Sequence, residues 1–379
     1  MKRKLATLTA TLLIVLVILS FFLALNWFRN STTRRQFYVG VEYAYGDQVS
    51  EVITLVDKVE NYTNLFVLGS VGLTFNRTAL TEACDYILNA KLNLIVLFTG
   101  LEMYSYNITQ WIVDAKLKYG EKFLGIYRYD EPGGNQLDNG TFRLINTSSN
   151  YSQVAKNYVG NLSIFTKFYL DYAPQIFTSD YGLYWFDYKS NYSNVFAEFV
   201  GNQSRQRHIA LCRGAAEVFN SDWGVIITWK YDQKPYLELK DELYNDLTLA
   251  YSSGAKYVVV FSYPNIGTYG TLTDEHFETL RKFWDTLKTD PDSFGTNEPK
   301  VAYVLPADYG FGFRNSEDVI WGLFPADERA KKIYDDVVTL LDIYGARLNI
   351  FYDEQEILSP FLHNYNEVFY WNQTINKLP

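Results

Sequence analysis

Carboxylates and aromatic side chains recur together in short clusters along this sequence. Glu42 lies in Glu42-Tyr43-Ala44-Tyr45-Gly46. Asp130 and Glu131 lie in Tyr127-Arg128-Tyr129-Asp130-Glu131-Pro132-Gly133-Gly134. Asp180, Trp185 and Asp187 follow, then Trp229-Lys230-Tyr231-Asp232 and Ser262-Tyr263-Pro264-Asn265. Such a set suits carbohydrate, because sugar C–H faces pack on rings while carboxylates accept hydrogen bonds from hydroxyls. Hydrolysis of a glycosidic bond needs two carboxyl groups flanking it, ~5–5.5 Å apart for retention or ~6.5–9.5 Å for inversion. The sharpest piece is Asp130-Glu131-Pro132. Adjacent carboxylates repel, and one that is partly buried keeps its proton near neutral pH and can act as a general acid. The same residues also read as an ordinary turn, since Asp, Pro and Gly-Gly after a strand are common loop chemistry.

The elements that must position these residues alternate in type. Apolar, β-rich runs occupy residues 38–45, 65–73, 92–99, 123–129, 176–187, 224–231 and 256–263, and helical patterns lie between them. The runs are continuously apolar, as in parallel strands covered on both faces. Seven strand–helix units in about 255 residues predict an α/β fold of (β/α)8 barrel type, with a doubly wound sheet as the alternative. In a parallel barrel the functional groups sit at the C-terminal strand ends, where the clusters above fall. Residues 289–299 read as a linker. Three more strands, 301–305, 348–352 and 367–371, and an amphipathic helix over 327–344 follow it. They predict a small C-terminal α/β unit, with 301–305 the alternative eighth barrel strand. The expected organisation is therefore 1–35 as a basic tip, transmembrane anchor and short linker, 36–290 as the barrel, and 291–379 as the linker and small unit.

Here the chain resembles the large clan of (β/α)8 glycoside hydrolases whose fourth strand ends in Asn-Glu-Pro. The resemblance covers roughly residues 37–290 in architecture and Asp130-Glu131-Pro132 in motif. It implies Glu131 as the acid/base, with Asp130 in place of the Asn. The C-terminal unit resembles, in layout, the accessory domain behind the barrel of some β-galactosidase-type enzymes. The clan's nucleophile Glu ends strand seven, and the corresponding stretch here, Val259 to Pro264, has no carboxylate. The second carboxylate then comes from Asp187, Asp180, Glu42 or Asp232, and Asp187 is chosen because it follows an aromatic strand end. Glu42, Asp130, Asp180, Trp229 and Tyr263 are expected to bind substrate. Glu42 as a buried partner of Arg128, and Trp229 as a core residue, are the structural alternatives. The cluster from Asp308 to Arg314, with Trp321-Gly322, is expected either to close over the cleft or to pack the C-terminal unit. The expected activity is glycoside hydrolysis; a glycan-binding or structural surface protein on the same scaffold is the alternative.

Composition narrows the partners. The chain has 379 residues, 48% hydrophobic and 20% charged, which is globular composition. Residues 1–35 hold six basic residues and no acidic one, leaving 28 basic against 43 acidic residues and a net of −15 for the rest. A body that acidic repels phosphate backbones, so nucleic acid is not an expected partner. Three scattered histidines and two cysteines cannot build a zinc site, and no phosphate-cradling or nucleophile-elbow motif is present. No cofactor is expected, although an all-carboxylate Ca²⁺ site would leave no mark in the sequence. Cys84 and Cys212 each fall on an apolar helical face and are read as free buried thiols.

Leu5 to Phe28 are 24 residues without a charge, roughly 36 Å of helix against a hydrocarbon core of ~30 Å. Lys2, Arg3 and Lys4 precede them and favour a cytoplasmic N-terminus. An uncleaved signal anchor in the lipid bilayer is the favoured reading and a cleaved signal peptide the rival. Asn-x-Ser/Thr occurs eleven times, at Asn30, Asn61, Asn76, Asn107, Asn139, Asn146, Asn150, Asn161, Asn191, Asn202 and Asn372. Each is a potential surface acceptor in an exported protein. The expected location is the cell membrane, single-pass, with the body outside the cytoplasm.

Overall fold

The computed structural model describes residues 36–100, 103–138 and 143–375. The expected membrane anchor lies outside these residues, as do the sequons at Asn30 and Asn139. Among the described residues no helix is long and apolar enough to cross a membrane.

Eight parallel strands close into a barrel: β1 Tyr38–Tyr43, β2 Leu65–Leu68, β3 Asn93–Phe98, β4 Phe123–Arg128, β5 Ile176–Asp180, β6 Asn194–Phe199, β7 Asp222–Ile227 and β8 Tyr257–Phe261. Closure is direct, with β1 pairing β8 from Tyr38↔Tyr257 to Glu42↔Phe261. The interior is packed with large side chains, among them Tyr38, Leu65, Tyr127, Phe177, Phe196, Ile226 and Tyr257. Burying such rings supplies much of the apolar stabilisation of a barrel core. The crossover helices start on side-chain caps. Asn76, Asn107, Asn150 and Ser204 each accept from N–H groups of the first helical turn.

A second sheet of three parallel strands has the order β10-β9-β11, formed by β9 Val301–Leu305, β10 Leu348–Tyr352 and β11 Glu367–Tyr370. Thus 301–305 belongs to this sheet and does not close the barrel. The strand count also differs from the expectation. Residues 176–187 are not one strand, because β5 ends at Asp180 and the chain turns into the helix Tyr184–Lys189. The strand expected at 224–231 is the seventh, the one at 256–263 is the eighth, and β6 was not anticipated. β6 reads Asn-Val-Phe-Ala-Glu-Phe, and two polar residues in six obscure an otherwise apolar run.

The helix Arg205–Val218 joins the two sheets. Gly214 faces β10, and a Cβ there would lie 2.5 Å from the Ile350 carbonyl oxygen, so only glycine permits this approach. Beside it Arg213 is buried. Its Nη1 donates to the carbonyls of Ser253 (3.1 Å) and Asn297 (2.9 Å), and its Nη2 to those of Ala346 (2.7 Å) and Leu348 (3.0 Å). Its Nε donates to Asn349 Oδ1 at 2.8 Å. Burial lowers its pKa to about 10, still well above neutral, so the guanidinium stays charged and ties barrel to sheet through neutral acceptors. Cys84 and Cys212 are buried free thiols.

Arg213→Met keeps the aliphatic volume and leaves those acceptors without a donor. It should destabilise the protein by at least about 3 kcal/mol, since each stranded buried polar group costs ~1–3 kcal/mol. Urea unfolding of the variant beside the parent checks this, and an unchanged midpoint would refute the tie.

Candidate active site

The C-terminal ends of the strands open into two adjoining cavities of about 570 and 310 Å³. Glu42, Asp130, Phe261 and Tyr263 line both. The smaller also contains Glu131, Ser179, Glu198 and Trp229. The expected residues Glu42, Asp130, Glu131, Trp229 and Tyr263 therefore come together at one place, and Glu198 joins them.

Glu131 is placed by a strained turn. Tyr129 and Glu131 both have positive φ, 60° and 48°, which costs a non-glycine residue about 1–3 kcal/mol each. What holds the turn is Asp180 at the end of β5. Its carboxylate accepts from the N–H groups of Gly133 (2.7 Å) and Gly134 (2.9 Å), at the start of the helix Pro132–Leu137. A Cβ on Gly133 would lie 2.2 Å from Asp180 Oδ2, so this grip requires glycine there. From the other side Gln136 donates to the Trp321 carbonyl at 2.9 Å. Arg314 pairs with both Asp138 and Asp318. The 308–322 segment thus packs beneath the strand-four loop, and none of its residues lines either cavity.

A hydrogen-bonded chain of acids runs through the smaller cavity. Tyr127 and Ser179 hydroxyls both reach Asp130 Oδ1, the latter at 3.1 Å. The Ser179 hydroxyl also lies 2.6 Å from Glu198 Oε1. Glu198 in turn shares a hydrogen bond with Glu131. Two carboxyls in such contact cannot both be ionised, so the pair holds a proton. Burial first, then the charges around it, raises Glu131 from 4.5 to about 7. Burial and the Glu131 and Asp130 charges push Glu198 well upward, and the hydrogen bond between the two raises Glu198 while lowering Glu131, so Glu198 holds its proton the more tightly. Glu42 is 4% exposed, and burial with the nearby Asp130 charge lifts it to about 8. Burial also raises Asp130, against the hydroxyls that favour its anion.

Aromatic side chains border these acids. Trp229 and Tyr263 stack at 5.9 Å between centroids, with an interplanar angle of 20°, and Trp229 Nε1 donates to the Tyr263 carbonyl at 2.6 Å. Tyr263 is 45% exposed. Trp229 is thus a cavity wall and not interior packing of a strand. Arg128 does not ion-pair with Glu42. Its guanidinium lies over the Phe165 ring at 5.3 Å and donates to the Phe98 carbonyl at 3.4 Å.

Two expected residues fall elsewhere. Asp187 lies on the helix Tyr184–Lys189, fully buried, accepting from the Tyr158 hydroxyl at 2.9 Å. It lines neither cavity, because the aromatic run before it is helix and not strand end. Asp180 is equally buried, engaged with the glycine amides, and in hydrogen-bond contact with Asp187. Both act on architecture rather than on the cavity. Glu198 was missed for want of its strand. An acid inside the pattern Val195-Phe196-Ala197-Glu198-Phe199 was the available signal. No group of metal-ligating residues occurs among the described residues.

No protein-family model matches the sequence, and no curated protein matches it. Solved structures do. A GH5_18 protein from Bifidobacterium longum subsp. infantis matches with a TM-score of 0.56 at 11% identity, over 90% of this chain and 98% of its own. A GH5_18 variant from Bifidobacterium longum subsp. longum, in complex with Manβ1-4GlcNAc, matches with a TM-score of 0.51 at 10% identity, over 90% and 99%. Alpha-L-fucosidase isoenzyme 2 from Paenibacillus thiaminolyticus matches with a TM-score of 0.50 at 9% identity, over 88% of this chain and 59% of its own. At these identities the likeness is one of architecture: the chain has a glycoside hydrolase-like barrel fold with a small second sheet.

Proposed function

We propose that this chain is a membrane-anchored glycoside hydrolase acting on glycans outside the cytoplasm, with Glu131 as proton donor and Glu198 as the second carboxyl. The observation that carries this reading is the hydrogen-bond contact of the buried Glu131 and Glu198 in a cavity walled by Trp229 and Tyr263. When Glu131 gives its proton to a glycosidic oxygen, its own carboxylate and the remaining charge of the acid cluster lie beside the sugar carbon from which that oxygen departs. Their charge complements the oxocarbenium character developing there. Asp130 and Glu42 are placed to accept sugar hydroxyls, and the stacked pair offers a face for the ring.

Location outside the cytoplasm is supported by the sequons. Nine of their asparagines lie among the described residues, and all nine are exposed. The membrane anchor rests on the length of the apolar N-terminal stretch.

One observation favours a second reading, a glycan-binding protein without hydrolytic activity. β7 is followed by Thr228 and Trp229, so the corrected seventh strand also ends without a carboxylate. Release of sugar from a panel of oligosaccharides by the full-length protein separates the two. The hydrolase reading expects release by the parent and a fall of about 10²–10⁴-fold in Glu131→Gln, the usual contribution of a general acid. Binding without release by the parent would establish the second reading instead.

The raised carboxyls give a pH signature. Glu131 must be protonated to act, so activity should fall as pH rises through about 7. Glu42 is raised in the fold from 4.5 to about 8. Its contribution to stability is therefore complete below about 4.5 and lost as pH rises through about 8. The thermal midpoint should drop across that window, and Glu42→Gln should flatten the drop by several degrees. An identical slope in parent and variant would show that Glu42 is ionised throughout.

A further inference from the structure

A third cavity, of about 500 Å³, lies away from the acids, between the start of the helix Arg205–Val218 and the helix Glu328–Tyr344. Its wall includes Gln206, Arg207, Phe313, Tyr334 and Val338. Arg207 is 7% exposed, and its Nε is buried without a hydrogen-bond partner. Among the described residues no carboxylate pairs with its guanidinium. Asp318, whose charge acts on it, is occupied by Arg314 at 2.7 Å. Arg213, on the same helix, has five hydrogen bonds, whereas Arg128, which lines the larger active-site cavity, likewise has a buried Nε without a partner.

Leaving the Arg207 Nε–H buried without an acceptor costs about 1–3 kcal/mol, and an arginine cannot escape by losing its proton. The cost is relieved by an anion. The helix beginning at Arg205 adds to the same sign, because Gln206 is in its first turn, where amide N–H groups and the helix dipole favour negative charge. Asp342 on the cavity wall is exposed and stands against an anion, so the oxyanion belongs at the Arg207 end. Phe313 and Val338 offer apolar contact for the rest of a ligand.

We propose that this cavity is a second binding site, which takes the oxyanion of a small acidic molecule, such as an acidic sugar, on the Arg207 guanidinium. The site is separate from the carboxyl cluster and does not depend on hydrolysis. Its test is calorimetric titration of the full-length protein with glucuronate, inorganic sulfate and inorganic phosphate at matched ionic strength, with glucose as the neutral control. At least one anion should bind, glucose should not, and Arg207→Met should weaken binding at least tenfold. Glucuronate alone binding would identify a carboxylate ligand, and sulfate or phosphate binding a tetrahedral one. The parent and Glu131→Gln should bind equally. The melting temperature adds a second readout. Arg207→Met without ligand should melt no lower than the parent, because an unmatched buried charge is removed, and should lose the rise that the anion gives the parent. If Arg207→Met does not fold, Val338→Trp, which fills the cavity from an exposed position, should show the same loss. No anion binding above glucose, or full binding by the folded variant, would overturn the proposal.

Discussion

Four carboxyl groups, Glu42, Asp130, Glu131 and Glu198, line one cavity of about 310 Å³, and no basic side chain lines it with them. That is the constraint on which the rest depends. Four carboxylate charges in so small a space repel one another, which favours the protonated form of some of them. The Tyr127 hydroxyl favours an anion at Asp130, while the Ser179 hydroxyl lies between Asp130 and Glu198 and favours the anion at either. Glu131 and Glu198 are left with a proton between them. A carboxyl kept protonated near neutral pH is what an acid catalyst requires, and the barrel produces one by crowding like charges.

Crowding is possible only because the strand-four loop is forced into place. Positive φ at Tyr129 and Glu131 would relax in a free loop. Asp180 prevents this by gripping two consecutive amides, and the segment from Tyr309 to Trp321 supports the same turn from below. The C-terminal sheet thus has a physical link to the site although it contributes no wall to it. Its packing on the helix Arg205–Val218, through Gly214 and Arg213, accompanies the contacts of that segment with the strand-four loop, Trp321 carbonyl with Gln136 and Arg314 with Asp138.

Much of this was legible in the residues. Continuous apolar runs between amphipathic helices gave the parallel barrel, and Asp130-Glu131-Pro132 marked the strand-four loop. Glu42, Trp229 and Tyr263 followed from their places at strand ends. What failed was the reading of periodicity in two short segments. Tyr184–Lys189 is as aromatic as a strand, yet it forms a short helix, in which the Phe186 ring meets both Trp321 and Tyr352 and the Trp185 ring meets Phe219. Asn194–Phe199 is a barrel strand whose polar Glu198 breaks the apolar run because it faces the cavity. A buried acid inside a strand is a feature of function, and local propensity cannot anticipate it. Asp180, expected to bind substrate, and Asp187, expected as the second carboxylate, both lie buried outside the cavities, because sequence shows that an acid is near a strand end but not whether it faces a cavity or a backbone amide.

The account's central claim is that the Glu131–Glu198 pair carries a proton at neutral pH. Infrared difference spectroscopy of the full-length protein with ¹³C-labelled glutamate, comparing the parent with Glu131→Gln through a pH titration, tests it most directly. Glu131→Gln should weaken the carboxylic-acid C=O absorption at pH 6, and the part it removes should be the part that the parent loses as pH rises through about 7, while Glu198 and Glu42 keep acid bands in both proteins. A variant that removes only carboxylate absorption at pH 6, leaving the acid bands as in the parent, would contradict this.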